Sequence, residues 1–292
     1  AQHAPTWRSQ NLYIPNLRKR CRVPSTPFPT PEARADALTL VPPLLELALA
    51  VRRELLRWWR APNLARFRKE DGSPVTSADH AAHRLIATSL AELAAGIPLV
   101  SEEGALPEAA KRLSWERYWL VDPLDGTRDF AAGGEDFVVC LALMWQGRPL
   151  LGVIDWPLAE ETYWGVVGHG AFRVFRGESE PLKPRPGAGA RELTVAVSSH
   201  HRRGEVEWLR HQGYQVARWV PRGSALKFCL VARGSVDGYV RRGKIHGWDI
   251  AAGHALVEAA GGTVLDLAGG PLTYSSADLT VPGLVAWGPG RP

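Results

Sequence analysis

Hydrophobic positions recur along this chain of 292 residues first with a helical period and then with that of strands. Over residues 38–60, Leu44, Leu45, Leu47, Ala48, Val51, Leu55, Leu56, Trp58 and Trp59 form a wide apolar stripe. Arg52, Arg53, Glu54, Arg57 and Arg60 oppose it, which predicts an amphipathic helix with Pro42 and Pro43 in its first turn. A turn at 71–74 precedes a second helix over 77–95, with Ser77 as N-cap, Asp79 in the first turn and Gly96 as the stop. Apolar runs at 97–100 and 118–121 read as short buried strands. Runs at 137–144, 150–155, 161–167 and 171–175 continue as an antiparallel meander, the first pair turning at Gln146-Gly147.

The texture then changes. Pro181, Pro184, Pro186, Gly187 and Gly189 mark a linker. Beyond it, strands at 193–197, 216–220, 236–240, 263–266 and 284–287 alternate with helices at 204–212, 224–233 and 248–260. The expected organisation is an α+β half over 37–184 and an α/β half over 185–292, preceded by an irregular, basic, proline-rich tail over 1–36.

Charge changes this picture only at the tail. The net charge is +5, and residues 1–34 carry six Arg or Lys against one Glu, so the remainder is neutral. A high overall pI therefore describes the tail and is no argument for a nucleic-acid-binding domain. The run Arg18-Lys19-Arg20-Cys21-Arg22 is either a solvated charge run or a contact for phosphate or anionic lipid at a membrane's inner face. No stretch is apolar enough for a membrane span or a signal core. Cys21, Cys140 and Cys229 fit no metal or redox spacing, and their odd count points to a reducing cytoplasm.

The candidate chemistry lies at strand ends. Asp122-Pro123-Leu124-Asp125-Gly126-Thr127 places two carboxylates three residues apart just past a strand, with a hydroxyl after them. Hard divalent cations take such oxygens, although the same pattern also makes an ordinary turn with capping carboxylates. Glu102 and Glu103 follow an earlier strand, and Asp249 is expected in the first turn of a later helix, where a carboxylate or a phosphate is favoured.

PVTSAD (74–79), SEEG (101–104), DPLDGTRDF (122–130) and WDIAAGHALVEAAGG (248–262) occur in the order found in the inositol monophosphatase superfamily, and the chain resembles it over about residues 40–288. Within it, residues 223–243 are similar to the bacterial 3'(2'),5'-bisphosphate nucleotidases of sulfur assimilation. The resemblance implies a layered αβαβα sandwich and a Mg2+-dependent, lithium-sensitive phosphatase holding two or three Mg2+ ions. It further implies that Glu102, Asp122, the Leu124 carbonyl, Asp125 and Asp249 bind metal, and that Asp79 and Thr127, with Glu102, act on the attacking water. Gly126 and Thr127 would donate N–H groups to the phosphate, beside Asp249. His200, Ser224, Lys227 and Arg241 would line the nucleotide side, and Lys69 would stand near the metals. The implied ligand is a small phosphorylated nucleotide, adenosine 3',5'-bisphosphate, rather than a nucleic acid. Inositol or sugar phosphate hydrolysis and a catalytically silent binding member are the competing readings, and the sequence leaves the oligomeric state open.

Overall fold

This computed structural model describes residues 28–69, 72, 74–184, 192–199 and 203–290. Helix α1 spans Pro31–Trp58, seven residues earlier than the apolar stripe predicts. Thr30 accepts the Ala33 N–H as N-cap, and Pro31 supplies a pre-set φ at the first position. Residues 31–36, expected in the tail, are therefore helical, and Pro42 and Pro43 lie inside the helix rather than in its first turn. Burial of Ala37 and Val41, one turn apart, carries the helix up to them. Residues 1–27 lie outside the described residues.

A hairpin of β1 (Arg66–Arg68) and β2 (Pro74–Thr76) leads into α2 (Ser77–Leu93). Its N-cap is Thr76, not Ser77. Thr76 Oγ1 accepts the Ala78 N–H, and Asp79 Oδ2 accepts the Thr76 N–H at 2.8 Å, so the reciprocal cap selects the residue three before the aspartate.

Then follow β3 (Leu99–Ser101), α3 (Ala109–Leu113), β4 (Arg117–Asp125), α4 (Thr127–Ala131), β5 (Val138–Trp145), β6 (Arg148–Trp156), β7 (Glu161–Val166), β8 (Gly170–Phe175) and β9 (Glu178–Pro181). Strands β3 to β9 form one sheet in chain order, with β3 parallel to β4 and every later pair antiparallel. Gln146 and Gly147, both at positive φ, make the two-residue turn between β5 and β6.

The second part comprises β10 (Glu192–Ser198), α5 (Arg203–His211), β11 (Gln215–Arg222), α6 (Leu226–Ala232), β12 (Gly238–His246), α7 (Ala251–Ala259), β13 (Thr263–Leu265) and β14 (Thr280–Trp287). Its five strands run in the order β11-β10-β12-β14-β13, with β11, β10 and β12 parallel.

Strand alternation sets the layers. Trp119, Val121, Val139, Leu141 and Leu143 face α1 and α2. Their neighbours Tyr118, Leu120, Val138, Cys140, Ala142 and Met144 face α6 and α7. Beyond those helices lies the five-stranded sheet, whose far face carries Val195, Val240 and Val285 against Leu209 of α5. The order helix, sheet, helix, sheet, helix is the αβαβα sandwich. Every residue of β5 is buried, which is why it reads as a continuous apolar run without alternation. Among the described residues no helix is long and apolar enough to cross a membrane.

Helix α7 lies directly on β6 at Gly152, where an added Cβ would fall 2.1 Å from the Ala252 carbonyl oxygen. Backbone cannot rotate away as a side chain can. Gly152→Ala should therefore cost about 1–3 kcal/mol, the usual penalty of overpacking, read as a lower urea midpoint. Unchanged stability would refute this close approach.

Candidate active site

Register brings the acids together. The Glu102 N–H donates to Val121 O at 3.1 Å, extending the parallel β3–β4 pairing and setting Glu102 beside Asp122. Strand β4 does not stop at Val121, as the turn-forming composition suggests. It continues to Asp125 through a bulge, since Asp122 pairs with Cys140 but Asp125 with Val138. Asp122 Oδ1 accepts the Leu124 N–H at 2.9 Å and stiffens the bulge. Gly126 then takes φ +100°, and a Cβ there would lie 2.6 Å from Asp136 O, so only glycine makes this turn into α4.

Asp249 arrives from the second part. It stands just ahead of α7, before the Ile250 N-cap, rather than in the helix's first turn. The chain there is closed by Ile250 and Ala251 N–H groups bonded to Gly247 O. Oxygens of Glu102, Asp122 and Asp249 lie within 4.8 Å of one another. Burial, then the neighbouring Glu102, Asp125 and Asp249, push the Asp122 carboxyl well above its usual range. Burial, followed by Asp125 and Glu102, does the same to Asp249. Such mutual repulsion requires positive charge. Lys69 supplies one unit, its Nζ donating to Glu102 and Glu103 at 2.6 Å each. Burial disfavours its charge, but the two glutamates outweigh that and hold its pKa above the ordinary lysine value. The rest of the donor set is hard oxygen, the chemistry that Mg2+ selects.

Thr127 Oγ1 lies 2.8 Å from Asp79 Oδ1 and 3.0 Å from Leu124 O. Its single proton serves one of them, and an ionised carboxylate is the stronger acceptor. Asp79 Oδ2 accepts from both the N–H and the hydroxyl of Thr76. Burial pushes the Asp79 carboxyl up to about 6, against the hydrogen bonds from Thr76 and Thr127.

Asp125 links the two parts of the chain. Its Oδ2 accepts the Ala225 N–H at 2.5 Å. Burial raises its pKa to about 6, opposed by the Lys227 charge. Lys227 itself is only 5% exposed and does not line the cleft. Its Nζ donates to the Ser224 carbonyl and, at 3.3 Å, to that of Arg222, and it sits 5.1 Å from the centre of the Tyr239 ring. Burial lowers its pKa to about 8. This lysine braces the loop under the cleft from behind. Arg241, half-buried on β12, shares a strand face with Tyr239 next to that lysine and also lies off the lining.

The cleft itself has a volume of about 490 Å³ and gathers Lys69, Glu102, Asp122, Leu124, Asp125, Gly126, Thr127, Ser224 and Asp249. His200 lies outside the described residues. Periodicity and composition missed several members. Asp136 accepts the Gly223 N–H at 2.7 Å and ties the second part to the first. Asp136 is not on the lining, whereas Ser198, Arg128, His246 and Trp248 are. Arg128, His246 and Trp248 stood in or beside a quoted motif without being singled out, and nothing local distinguishes Asp136 from a surface acid.

The inositol monophosphatase family model matches residues 41–288. The 3'(2'),5'-bisphosphate nucleotidase CysQ of Salmonella typhimurium is 42% identical over 71% of this chain and 82% of its own. The protein of the same name from Haemophilus influenzae is 32% identical over 73% and 79%. Among solved structures, CysQ of Bacteroides thetaiotaomicron superimposes with a TM-score of 0.72 at 33% identity, covering 89% of this chain and 98% of that one. An IMPase of Thermotoga maritima gives 0.70 at 28% identity, covering 87% and 93%. With the acid cluster and its fold matched over this span, the chain belongs to the inositol monophosphatase family.

Proposed function

We infer that the chain is a Mg2+-dependent phosphatase that removes the 3'-phosphate of adenosine 3',5'-bisphosphate, leaving AMP and phosphate. The observation that carries this reading is one cleft lined by Thr127, whose hydroxyl meets the buried Asp79 behind it, and by converging carboxylates from the end of β3, from β4 and from the segment before α7.

Glu102, Asp122, Asp125, Asp249 and the Leu124 carbonyl would hold two or three Mg2+ ions. When bound, these would neutralise charge on the phosphate and acidify water. The chain's own groups do the positioning. Thr127 Oγ1 accepts a hydrogen bond from the attacking water while its proton points to Asp79 Oδ1, which orients a lone pair of that water toward phosphorus. Asp79 takes the proton, so it acts only when ionised. The N–H groups of Gly126 and Thr127, at the start of α4, would receive the phosphate oxygens. No serine or cysteine nucleophile is required, and Cys140 and Cys229 are buried with their thiols pushed up by burial.

The bisphosphate preference draws support from the relatives named for it and from Arg241. Its guanidinium lies off the cleft lining, beside the buried Lys227, and would draw a second, uncleaved phosphate toward that side by its charge. Arg241→Glu should raise KM for adenosine 3',5'-bisphosphate by roughly tenfold or more, since attraction becomes repulsion in a partly desolvated cleft. Hydrolysis of a small monophosphate should barely change. The test is kcat/KM for the bisphosphate and for inositol 1-phosphate, in wild type and variant. A wild-type preference for inositol 1-phosphate, or equal losses on both substrates, would overturn the nucleotidase reading.

A further inference from the structure

The carboxylates and Thr127 account for one end of the cleft. Another part of its lining has a different character. Among the sixteen described residues lining the cleft, only His246 and Trp248 are aromatic. Their rings lie parallel, 9° apart in plane with centroids 4.6 Å from each other. Both are half-buried: Trp248 packs against the core, and His246 stacks on it.

The backbone between them is held firmly. His246 ends β12 opposite Thr280 of β14. Gly247 N–H donates to Leu279 O at 2.7 Å. A Cβ on Gly247 would meet the Tyr274 ring at 3.1 Å and Leu279 O at 3.3 Å, so the chain is pressed against the core at this point. Two aromatic side chains therefore leave a clamped dipeptide link on the same side. Trp248 is followed at once by Asp249 of the acid cluster.

We propose that the His246–Trp248 stack is a platform for the nucleobase of the substrate. This rests on the nucleotidase reading and adds to it the group that recognises the base. An aromatic face backed by a second, parallel ring and next to a carboxylate of the acid cluster suits a ligand with a planar ring one ribose away from its reacting phosphate. An inositol or sugar phosphate has no planar ring to place there. Stacking of a base on an aromatic side chain contributes about 1–3 kcal/mol and tolerates changes of base, because every base offers a π face. The platform should accordingly favour nucleotides over base-free phosphates while discriminating weakly among adenine, hypoxanthine and uracil.

The experiment is calorimetric titration of the Mg2+-loaded protein with AMP, IMP, UMP and ribose 5-phosphate, the last being AMP without its base. Wild type should bind AMP about 5- to 150-fold more tightly than ribose 5-phosphate, the range that stacking supplies. IMP should fall close to AMP. His246→Ala and Trp248→Leu should shrink that gap while leaving ribose 5-phosphate affinity unchanged. Trp248→Phe, which keeps an aromatic face, should retain most of it. Because His246 is half-exposed, its alanine variant tests the platform even if the leucine variant at 248 fails to fold. Equal wild-type affinity for AMP and ribose 5-phosphate overturns the platform, as does a parallel loss for both ligands in His246→Ala. These outcomes are separable from failure of the functional reading, which shows instead as a wild-type kcat/KM preference for inositol 1-phosphate.

Discussion

Asp122→Asn should reduce turnover to background while the protein stays folded. Asp122 is 2% exposed, and its Oδ1 accepts the Leu124 N–H. An asparagine oxygen can keep that bond, so the β4 bulge should survive. What disappears is one buried negative charge among Glu102, Asp125 and Asp249, whose repulsion raises the Asp122 carboxyl after burial itself. The metal-free variant should therefore unfold no more easily than metal-free wild type. The difference should appear on adding Mg2+. A ligand that binds only the folded state stabilises it in proportion to its occupancy, so wild type gains in Tm and the variant gains much less. Thermal unfolding with and without Mg2+, alongside phosphate release, reads both effects. Normal turnover at saturating Mg2+, or an equal Mg2+-induced rise in Tm, would remove Asp122 from the metal site.

The second large effect is expected at Thr127. Thr127→Ala should lower kcat by roughly 10²–10⁴-fold, the range for loss of a group that relays a proton. Metal-induced stabilisation should hardly change, because the hydroxyl donates to Asp79 and every oxygen proposed to hold metal, the Leu124 carbonyl included, remains in the variant. Thr127→Ser retains an oxygen at the same place and should recover most of the rate. A fall confined to KM would assign Thr127 to substrate binding. The same pair sets a pH limit. Burial lifts Asp79 to about 6, and a carboxyl accepts a proton only when ionised. Wild-type kcat should then decline as pH falls through that region, and a profile flat down to pH 4 would count against Asp79 as the acceptor.

Several elements are legible in the sequence alone. The stripe of α1, the meander from β5 to β8 and the alternation from β10 to β14 follow from apolar spacing, because burial of one face or both imposes a period on neighbouring residues. Errors fell where the deciding contact is reciprocal or distant. Ser77 and Thr76 are both good capping residues in composition, and only the reach of Asp79 back to Thr76 selects between them. Pro31 starts α1 because Thr30 caps it and Ala37 and Val41 find a core to enter. Lys227 sits at a plausible spacing for a phosphate contact, yet packing turns its ammonium toward the Arg222 and Ser224 carbonyls instead.

The sequence by itself determined which atoms could do chemistry: carboxylates, a threonine hydroxyl and a glycine turn at the ends of apolar runs. Residue type and local turn propensity are properties of a few neighbours, so one dimension suffices to read them. Only the tertiary structure decided that Glu102, Asp122 and Asp249 share one site. That outcome depends on the parallel β3–β4 register, a one-residue bulge in β4 and the packing of α7 against the first sheet. Distance, desolvation and mutual repulsion arise between segments 20 to 147 residues apart, where no local pattern can encode them.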